Sequence, residues 1–163
     1  MKVNRIRVYR QTPGDARSSY AECLQLRHHC NLAMKLDKCI TRLDMAQRAV
    51  VDQAAEIICL KISNLGGLSK ARVVRDFLVA NRVPVVCEDT WGGEITTATL
   101  VHFAVSTPAE LLVNTTDLHS YNVETTGTSA PRTEGDRLFP ANTPCLGVEP
   151  DYNSLGDPVG VYQ

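Results

Sequence analysis

Charged side chains that could perform acid–base chemistry follow four apolar segments of the sequence. They are Asp37-Lys38, Lys61, Glu88-Asp89 and Asp117. In parallel α/β folds the ligand lies at the carboxyl ends of the strands, so charged residues there are candidates for catalysis or binding. Strand ends also meet solvent, and periodicity alone favours that second interpretation of the same residues. The pattern therefore indicates where a site would lie and leaves its chemistry open.

Lys61 is the most informative of these residues because it interrupts an otherwise apolar run over residues 57–62. An ammonium group in such a run must either extend to solvent or point into a polar cavity. In a cavity, desolvation is expected to lower the pKa of Lys61 toward that of a general base. Asp37 offers the oxygen ligands that Mg²⁺ prefers, although Mg²⁺ usually needs more than one such donor.

The elements that must position these residues alternate between strand and helix. Apolar runs predict strands over residues 32–36, 57–62, 83–87 and 111–113, and helical spacing predicts helices over 18–29, 41–53, 69–80 and 94–105. Thr41 and Asp44 have the spacing of a capping box at the start of the second helix. Strands that are apolar on both faces and recur about every 25 residues predict βαβ crossovers and a parallel sheet.

The two ends of the chain differ from this central part. Residues 1–10 alternate apolar and basic side chains, which predicts a strand, and a break follows at 12–15. Residues 120–163 are rich in Gly, Pro, Thr and Asn, so we expect an irregular segment that packs on the scaffold, with 138–140 as its apolar anchor.

Composition excludes several classes of protein. The chain has 163 residues, of which 44% are hydrophobic and 21% charged, with a net charge of −1, so a disordered chain is excluded. Residues 1–48 carry ten basic against four acidic side chains, but these are scattered, and neither a nucleic acid nor a membrane is expected as a partner. No apolar run has the length of a membrane span or a signal peptide, which predicts a cytoplasmic protein.

The cysteines do not form a disulfide or metal-binding pattern. None of the six is part of a CxxC pair, and two of them lie inside apolar strand-like runs, where a thiol behaves as a small hydrophobic group. The six are Cys23, Cys30, Cys39, Cys59, Cys87 and Cys145. This usage favours a reducing compartment over a disulfide framework.

Three segments resemble the enolase superfamily, and within it the mandelate racemase and muconate lactonizing group. They are Leu60-Lys61-Ile62-Ser63-Asn64-Leu65-Gly66-Gly67-Leu68-Ser69-Lys70-Ala71-Arg72, Glu88-Asp89-Thr90-Trp91-Gly92-Gly93 and Leu146-Gly147-Val148-Glu149-Pro150-Asp151. The second segment, together with Thr116-Asp117, is most similar to the cis-3-hydroxy-L-proline dehydratases. Residues 1–10 are similar to the first strand of that family's N-terminal capping domain.

The resemblance implies a reaction and a role for each matching residue. In the family, a base removes the proton α to a carboxylate while Mg²⁺ stabilises the enediolate, and in the dehydratases the 3-hydroxyl then leaves. Lys61 matches the sixth-strand lysine that acts as acid or base, and Asp37 matches the fifth-strand metal ligand. Asp89, Trp91 and Asp117 match positions that line the substrate pocket.

The sequence also departs from the family pattern. Lys38 replaces the usual glutamate after the metal ligand, and the second-strand lysine pair and the third- and fourth-strand metal ligands have no counterpart. A complete (β/α)₈ barrel needs roughly 250 residues, so the resemblance implies an incomplete barrel. We expect a capping-domain strand at 1–11, a partial β/α barrel at 12–119 and the irregular segment at 120–163.

The same departures leave the activity open between three functions. The first is a Mg²⁺-dependent dehydratase of a small carboxylate or imino acid, with no turnover expected from this truncated chain alone. The second is a non-catalytic fragment or pseudoenzyme that associates with a complementing chain or a second copy of itself. The third is a racemase or epimerase of the same superfamily.

Overall fold

The computed structural model describes residues 20–29 and 31–161. The strand predicted over 1–10 and the break predicted at 12–15 lie outside these residues. The described chain is a mixed α/β fold built on a parallel sheet, which confirms the predicted fold class.

The sheet contains four strands that neighbour one another in chain order. They are β1 (Lys35–Leu36), β2 (Ile57–Lys61), β3 (Val85–Glu88) and β4 (Leu112–Thr115), and all three pairings are parallel. The helices are α1 (Tyr20–His29), α2 (Leu43–Val51), α3 (Ile62–Leu65), α4 (Leu68–Ala80) and α5 (Glu94–Val105). Because each strand pairs with the next through a helical crossover, the sheet has the sequential order of a β/α barrel.

Alternate residues of the strands face opposite sides of the sheet. The main core lies between the helices and one side, and includes Leu36, Ile58, Leu60, Val85 and Cys87. A second, smaller cluster of Ile57, Cys59 and Val86 lies on the other side. The period-two alternation of strands thus explains why Lys61, two residues beyond Cys59, projects from the side without helices.

The predicted elements are present, with some shifted boundaries. Residues 94–105 form α5 over the full predicted range, whereas the strand predicted over 32–36 is reduced to two residues. The capping box predicted at Thr41 is wrong, because α2 has Arg42 at its N-cap without a side-chain cap. The Asp44 carboxylate instead accepts two hydrogen bonds from the Arg42 guanidinium.

One glycine turns the chain between α3 and α4. Gly66 follows α3 in the left-handed conformation, with φ of 80°, which favours glycine because a Cβ atom is disfavoured there. The short α3 therefore ends at Leu65, and α4 starts at Leu68.

The described part of the C-terminal segment forms short strands and helical turns of two to four residues each. After a 3₁₀ turn at His119–Tyr121, β5 (Gly127–Thr128) pairs antiparallel with β8 (Glu149–Pro150), and β6 (Arg132–Glu134) with β7 (Arg137–Phe139). The last helix is α6 (Tyr152–Leu155). Residues 138–140, the predicted anchor, are only partly buried. Within the described residues, no helix has the length and apolar character needed to cross a membrane.

Candidate functional site

Lys61 and Glu88 occupy paired positions at the carboxyl ends of two neighbouring strands. The parallel register of β2 and β3 matches Lys61 with Glu88. Lys61 Nζ donates a hydrogen bond to Glu88 Oε1 at 2.7 Å, and only 8% of the Lys61 side chain is exposed. A buried ammonium therefore has a charged partner supplied by the adjacent strand.

Two further charged residues from β1 and its end complete what we call the lysine–carboxylate cluster: Lys35, Asp37, Lys61 and Glu88. Asp37 Oδ1 lies 3.5 Å from Lys61 Nζ, and Lys35 Nζ lies 3.9 Å from Glu88 Oε2. Two ammonium groups thus face two carboxylates. The structure brings together the predicted residues Lys61 and Asp37 in one polar cluster.

The hydrogen bond between Lys61 and Glu88 keeps both of these residues charged. Desolvation opposes charging of Lys61, but the hydrogen bond to Glu88 and the charge of Asp37 outweigh it and raise the pKa of Lys61. Desolvation likewise opposes ionisation of Glu88, yet its bond with Lys61 holds the pKa of Glu88 below the usual value. The expected lowering of the pKa of Lys61 is therefore wrong for this arrangement, because the cavity contains two carboxylates.

Cys59 lies below the cluster on the same side of β2. Its thiol is fully buried, and this burial, together with the nearby charges of Glu88 and Asp37, raises the pKa of Cys59. Ligand atoms of Asp37, Cys59 and Glu88 all lie within 4.8 Å of one another. The thiol therefore remains protonated beside the Glu88 carboxylate.

Asp89 faces a different direction from Glu88. Its carboxylate accepts hydrogen bonds from Ser63 N at 3.0 Å and Thr90 N at 2.8 Å, and from the Ser63 hydroxyl. Only its backbone oxygen reaches the cluster, 3.4 Å from Lys61 Nζ. The Asp89 side chain therefore fastens the turn after β3 to the start of α3.

Trp91 is the most exposed of the predicted pocket residues, at 68%. Its ring meets that of Tyr121 edge to face, with 6.1 Å between the ring centroids. The pair forms an aromatic wall beside the carboxyl ends of the strands, and its exposed face is available for contact.

Asp117 belongs to a separate polar group after β4. Its carboxylate accepts hydrogen bonds from Ser120 Oγ at 2.7 Å and Thr133 Oγ1 at 3.0 Å, and lies 2.8 Å from His119 Nδ1. Burial opposes ionisation, but the hydroxyl and amide donors of Ser120 lower the pKa of Asp117. No contact joins Asp117 to the lysine–carboxylate cluster within residues 20–29 and 31–161.

Asp37 is the residue whose environment suits a divalent cation. Its Oδ1 atom is buried and accepts no hydrogen bond within the described chain, although it faces the Lys61 ammonium. A carboxylate oxygen with unused lone pairs fits Mg²⁺, which takes one or two carboxylates and retains water. The neighbouring Cys59 thiol is a soft donor that Mg²⁺ does not favour, so Asp37 fits as a single ligand of such an ion.

The sequence did not identify two members of the cluster as partners of Lys61. Glu88 is visible as a charged residue at a strand end and Lys35 as a charged residue within a predicted strand, but their proximity depends on strand order and register. The alternation of side chains along each strand was the one usable signal. It puts Lys35 and Asp37 on one side of β1, and Cys59 and Lys61 on one side of β2.

Residues 12–154 match the family model described as "Enolase C-terminal domain-like". Among curated proteins, the chain is 38% identical over 144 residues to a cis-3-hydroxy-L-proline dehydratase from Roseibium aggregatum. That match covers 88% of this chain and 39% of the relative. The chain therefore spans about two fifths of the length of the dehydratase that it resembles.

Solved structures give the same fold. A mandelate racemase/muconate lactonizing enzyme from Roseovarius nubinhibens ISM matches with a TM-score of 0.85 and 60% identity, over 86% of this chain and 38% of that one. Another from the same organism, complexed with magnesium, matches with a TM-score of 0.85 and 27% identity, over 90% and 40% of the two chains. The four-stranded sheet is thus similar to part of a barrel in these structures.

Proposed function

Because the chain belongs to the enolase C-terminal domain-like family, we propose that it carries the lysine-bearing part of a dehydratase active site. The substrate is a small imino acid with a carboxylate and a β-hydroxyl, such as cis-3-hydroxy-L-proline. The observation that carries this proposal is the buried Lys61 ammonium, 2.7 Å from Glu88 and 3.5 Å from Asp37 at the carboxyl edge of the sheet. The similarity to a dehydratase supports the choice of substrate.

Dehydration requires a proton to leave and a proton to arrive. The α-proton is removed, its electron pair forms a carbon–carbon double bond, and the β C–O bond breaks with its electrons on the hydroxyl. That hydroxyl takes a proton and departs as water. Acid or base groups at the reacting atoms supply these two proton transfers.

Lys61 fits the second transfer in the arrangement described here. Its ammonium carries a proton because Glu88 and Asp37 stabilise the charge. It therefore donates that proton to the departing hydroxyl without any rearrangement. To act as the α-proton base, Lys61 would first have to transfer its proton away from this pair of carboxylates.

Asp37 is the residue that would hold Mg²⁺, with further oxygen ligands from outside the described residues. When bound, the ion supplies positive charge that stabilises the substrate carboxylate as the α-proton leaves. Trp91 and Asp117 border the substrate, through an exposed ring face and a carboxylate that pairs with a ring ammonium. Asp89 acts indirectly, because its carboxylate holds the turn between β3 and Trp91.

The chain by itself is proposed to turn over no substrate. Within residues 20–29 and 31–161, Asp37 is the one carboxylate with a buried oxygen that accepts no hydrogen bond and suits the metal. A single carboxylate ligand holds Mg²⁺ only weakly. The outer edges of β1 and β4 also have no strand partner within this part of the chain. We propose that a complementing segment or a second copy covers these edges.

A chimera tests the proposed function directly. The segment of the Roseibium aggregatum dehydratase that matches this chain is replaced by the corresponding residues of this chain, and the product is incubated with Mg²⁺ and cis-3-hydroxy-L-proline. We expect a product that has lost one water molecule, as measured by mass spectrometry. A folded chimera that only exchanges the α-proton with solvent, without loss of water, would contradict a dehydratase and favour an epimerase.

A further inference from the structure

The hairpin formed by β6 and β7 contacts the carboxylate that the proposed function places beside the substrate ammonium. Thr133 Oγ1, on β6, donates a hydrogen bond to Asp117 Oδ2 at 3.0 Å, although the two residues are 16 positions apart in the sequence. Asp117 lies two residues after β4, at the carboxyl edge of the main sheet. The C-terminal segment therefore reaches this edge of the sheet through the Thr133 hydroxyl.

The alternation of side chains in the hairpin explains why Thr133 faces Asp117. In the antiparallel register of β6 and β7, Arg132 and Glu134 project from the face opposite to Thr133. On that face the Arg132 guanidinium lies 4.7 Å from the centre of the Phe139 ring and forms an ion pair with Glu134. These contacts hold the two strands together while the Thr133 hydroxyl is directed toward Asp117.

Thr133 differs from the other donors to Asp117 because it belongs to a separate element. Ser120 donates its backbone N–H to Oδ1 at 3.2 Å and its hydroxyl to Oδ2 at 2.7 Å, but Ser120 lies three residues away in the same turn. His119 Nδ1 lies 2.8 Å from Oδ1 without hydrogen-bond geometry. Ser120 thus fixes the carboxylate within its own turn, whereas Thr133 fixes it relative to the hairpin.

The Asp117 carboxylate keeps acceptor capacity within the described part of the chain. An ionised carboxylate has about four acceptor positions on its two oxygens. Oδ2 accepts from Ser120 Oγ and Thr133 Oγ1, whereas Oδ1 accepts one hydrogen bond, from Ser120 N. The hydroxyl of Thr133 therefore occupies Oδ2 and leaves Oδ1 as the oxygen that can accept from a ligand.

We propose that Thr133 is a positioning residue for the substrate, and that its hydroxyl holds Asp117 with Oδ1 oriented to bind the ring ammonium. The β6–β7 hairpin thus belongs to the substrate site as well as to the C-terminal segment. This inference rests on the proposed dehydratase function, because that function supplies a substrate with an ammonium group. The aromatic pair of Trp91 and Tyr121 fits this placement, since Tyr121 directly follows Ser120.

Thr133 acts on binding rather than on proton transfer. A carboxylate that is already oriented binds an ammonium more tightly, because less rotational freedom is lost when the substrate arrives. Within residues 20–29 and 31–161, the Thr133 hydroxyl is hydrogen-bonded to Asp117 and not to Lys61 or its partners. Loss of the hydroxyl therefore raises KM and leaves the proton transfer by Lys61 unaffected.

Kinetics of the active chimera test the proposal. Thr133→Val removes the hydroxyl and keeps a β-branched side chain that suits a strand. We expect KM for cis-3-hydroxy-L-proline to rise about 3–10-fold, with kcat within about twofold of the parent. Thr133→Ser retains a hydroxyl donor and should return KM to the parent value. An unchanged KM in Thr133→Val, or a loss confined to kcat, would overturn the proposal.

Thr126→Val is the matched control for a general loosening of the C-terminal segment. The Thr126 hydroxyl donates to a different carboxylate, Glu94 Oε2, at 2.8 Å. Its removal weakens the attachment of the same segment without altering Asp117, so KM should not change. An equal rise of KM in Thr126→Val and Thr133→Val would contradict a specific role for Thr133.

An NMR titration of the Asp117 carboxyl group in the purified chain gives a readout that does not depend on turnover. Burial opposes ionisation of Asp117, while the donors of Ser120 and Thr133 lower its pKa. The pKa of Asp117 should rise in Thr133→Val and return in Thr133→Ser. An unchanged pKa in folded Thr133→Val would overturn the positioning of Asp117 by Thr133. A chimera without turnover, in which this rise of the pKa is present, would support the positioning and contradict the proposed function alone.

Discussion

Lys61 and Glu88 form a nearly buried ion pair across two parallel strands, with 2.7 Å between Nζ and Oε1. Such a pair stabilises the fold only while both charges are present, because either one alone would be left desolvated. Glu88 thus stabilises the buried charge of Lys61, the residue that the proposed proton transfer requires.

Glu88→Gln is expected to lower the free energy of unfolding by about 3 kcal/mol, since it leaves the Lys61 ammonium with a weaker partner. Urea denaturation of the purified chain measures this loss. The control is Glu110→Gln, because Glu110 and its partner Arg82 are both mostly exposed. A surface pair of that kind contributes at most about 1 kcal/mol. Equal losses in the two variants would refute the role of Glu88.

Arg75 is a second buried charge that joins α4 to the end of α5. Its guanidinium donates to Ser106 Oγ at 2.6 Å and lies 5.1 Å from the centre of the Phe103 ring. Arg75→Ala is expected to cost about 2–3 kcal/mol of unfolding free energy, because it removes both the charged hydrogen bond and the packing of the side chain. The control is Arg72→Ala, at an exposed position of the same helix, which should change the free energy of unfolding by under about 0.5 kcal/mol. A loss in Arg72→Ala as large as that in Arg75→Ala would show a general effect on the helix instead.

Glu94 fastens the C-terminal segment to the start of α5. Its carboxylate is 1% exposed and accepts hydrogen bonds from Thr126 N at 3.1 Å and Thr126 Oγ1 at 2.8 Å. Burial alone would raise the pKa of Glu94, but these donors and its own backbone N–H lower the pKa below 4.5.

The lowered pKa of Glu94 predicts the pH dependence of stability. A carboxylate whose pKa is lower in the folded state contributes stability above its unfolded pKa, near 4.5, and loses it as the pH falls through the folded value. The stability difference between wild type and Glu94→Gln should therefore be full at pH 7 and shrink as the pH falls below about 4.5. Thermal melts across this pH range measure it, and a difference that is independent of pH would contradict ionisation of Glu94.

Trp91 should affect substrate binding more than stability. Its ring is mostly exposed and touches the Tyr121 ring, so Trp91→Ala is expected to cost under about 1 kcal/mol of folding free energy. In the active chimera the same substitution should raise KM several-fold. An unchanged KM for both Trp91→Ala and Trp91→Phe would exclude a substrate contact at this position.

Local patterns in the sequence predicted the alternation of strands and helices and the full range of α5. Its start follows the Gly92-Gly93 pair, and apolar residues recur along it from Ile95 to Val105. The prediction of a capping box at Thr41 was wrong because the spacing of a polar pair does not determine which residue becomes the N-cap of the helix. In the structure, the Arg42 guanidinium binds the Asp44 carboxylate that would otherwise accept from the backbone.

The candidate site was predictable only in part, for a physical reason. Lys61 and Asp37 are recognisable as charged residues at strand ends, but the charge state of Lys61 depends on which residues face it. The register between β2 and β3 decides that Glu88 faces Lys61. That register is set by tertiary packing between segments that are distant in sequence.

The central claim is that Lys61 transfers a proton in the dehydration, and its removal from the active chimera tests this most directly. Lys61→Ala should lower kcat for cis-3-hydroxy-L-proline at least about 100-fold, the usual contribution of a positioned acid or base. Lys70→Ala, on the exposed side of α4, should leave kcat unchanged. A folded Lys61→Ala chimera that keeps kcat within about threefold of the parent would contradict the account.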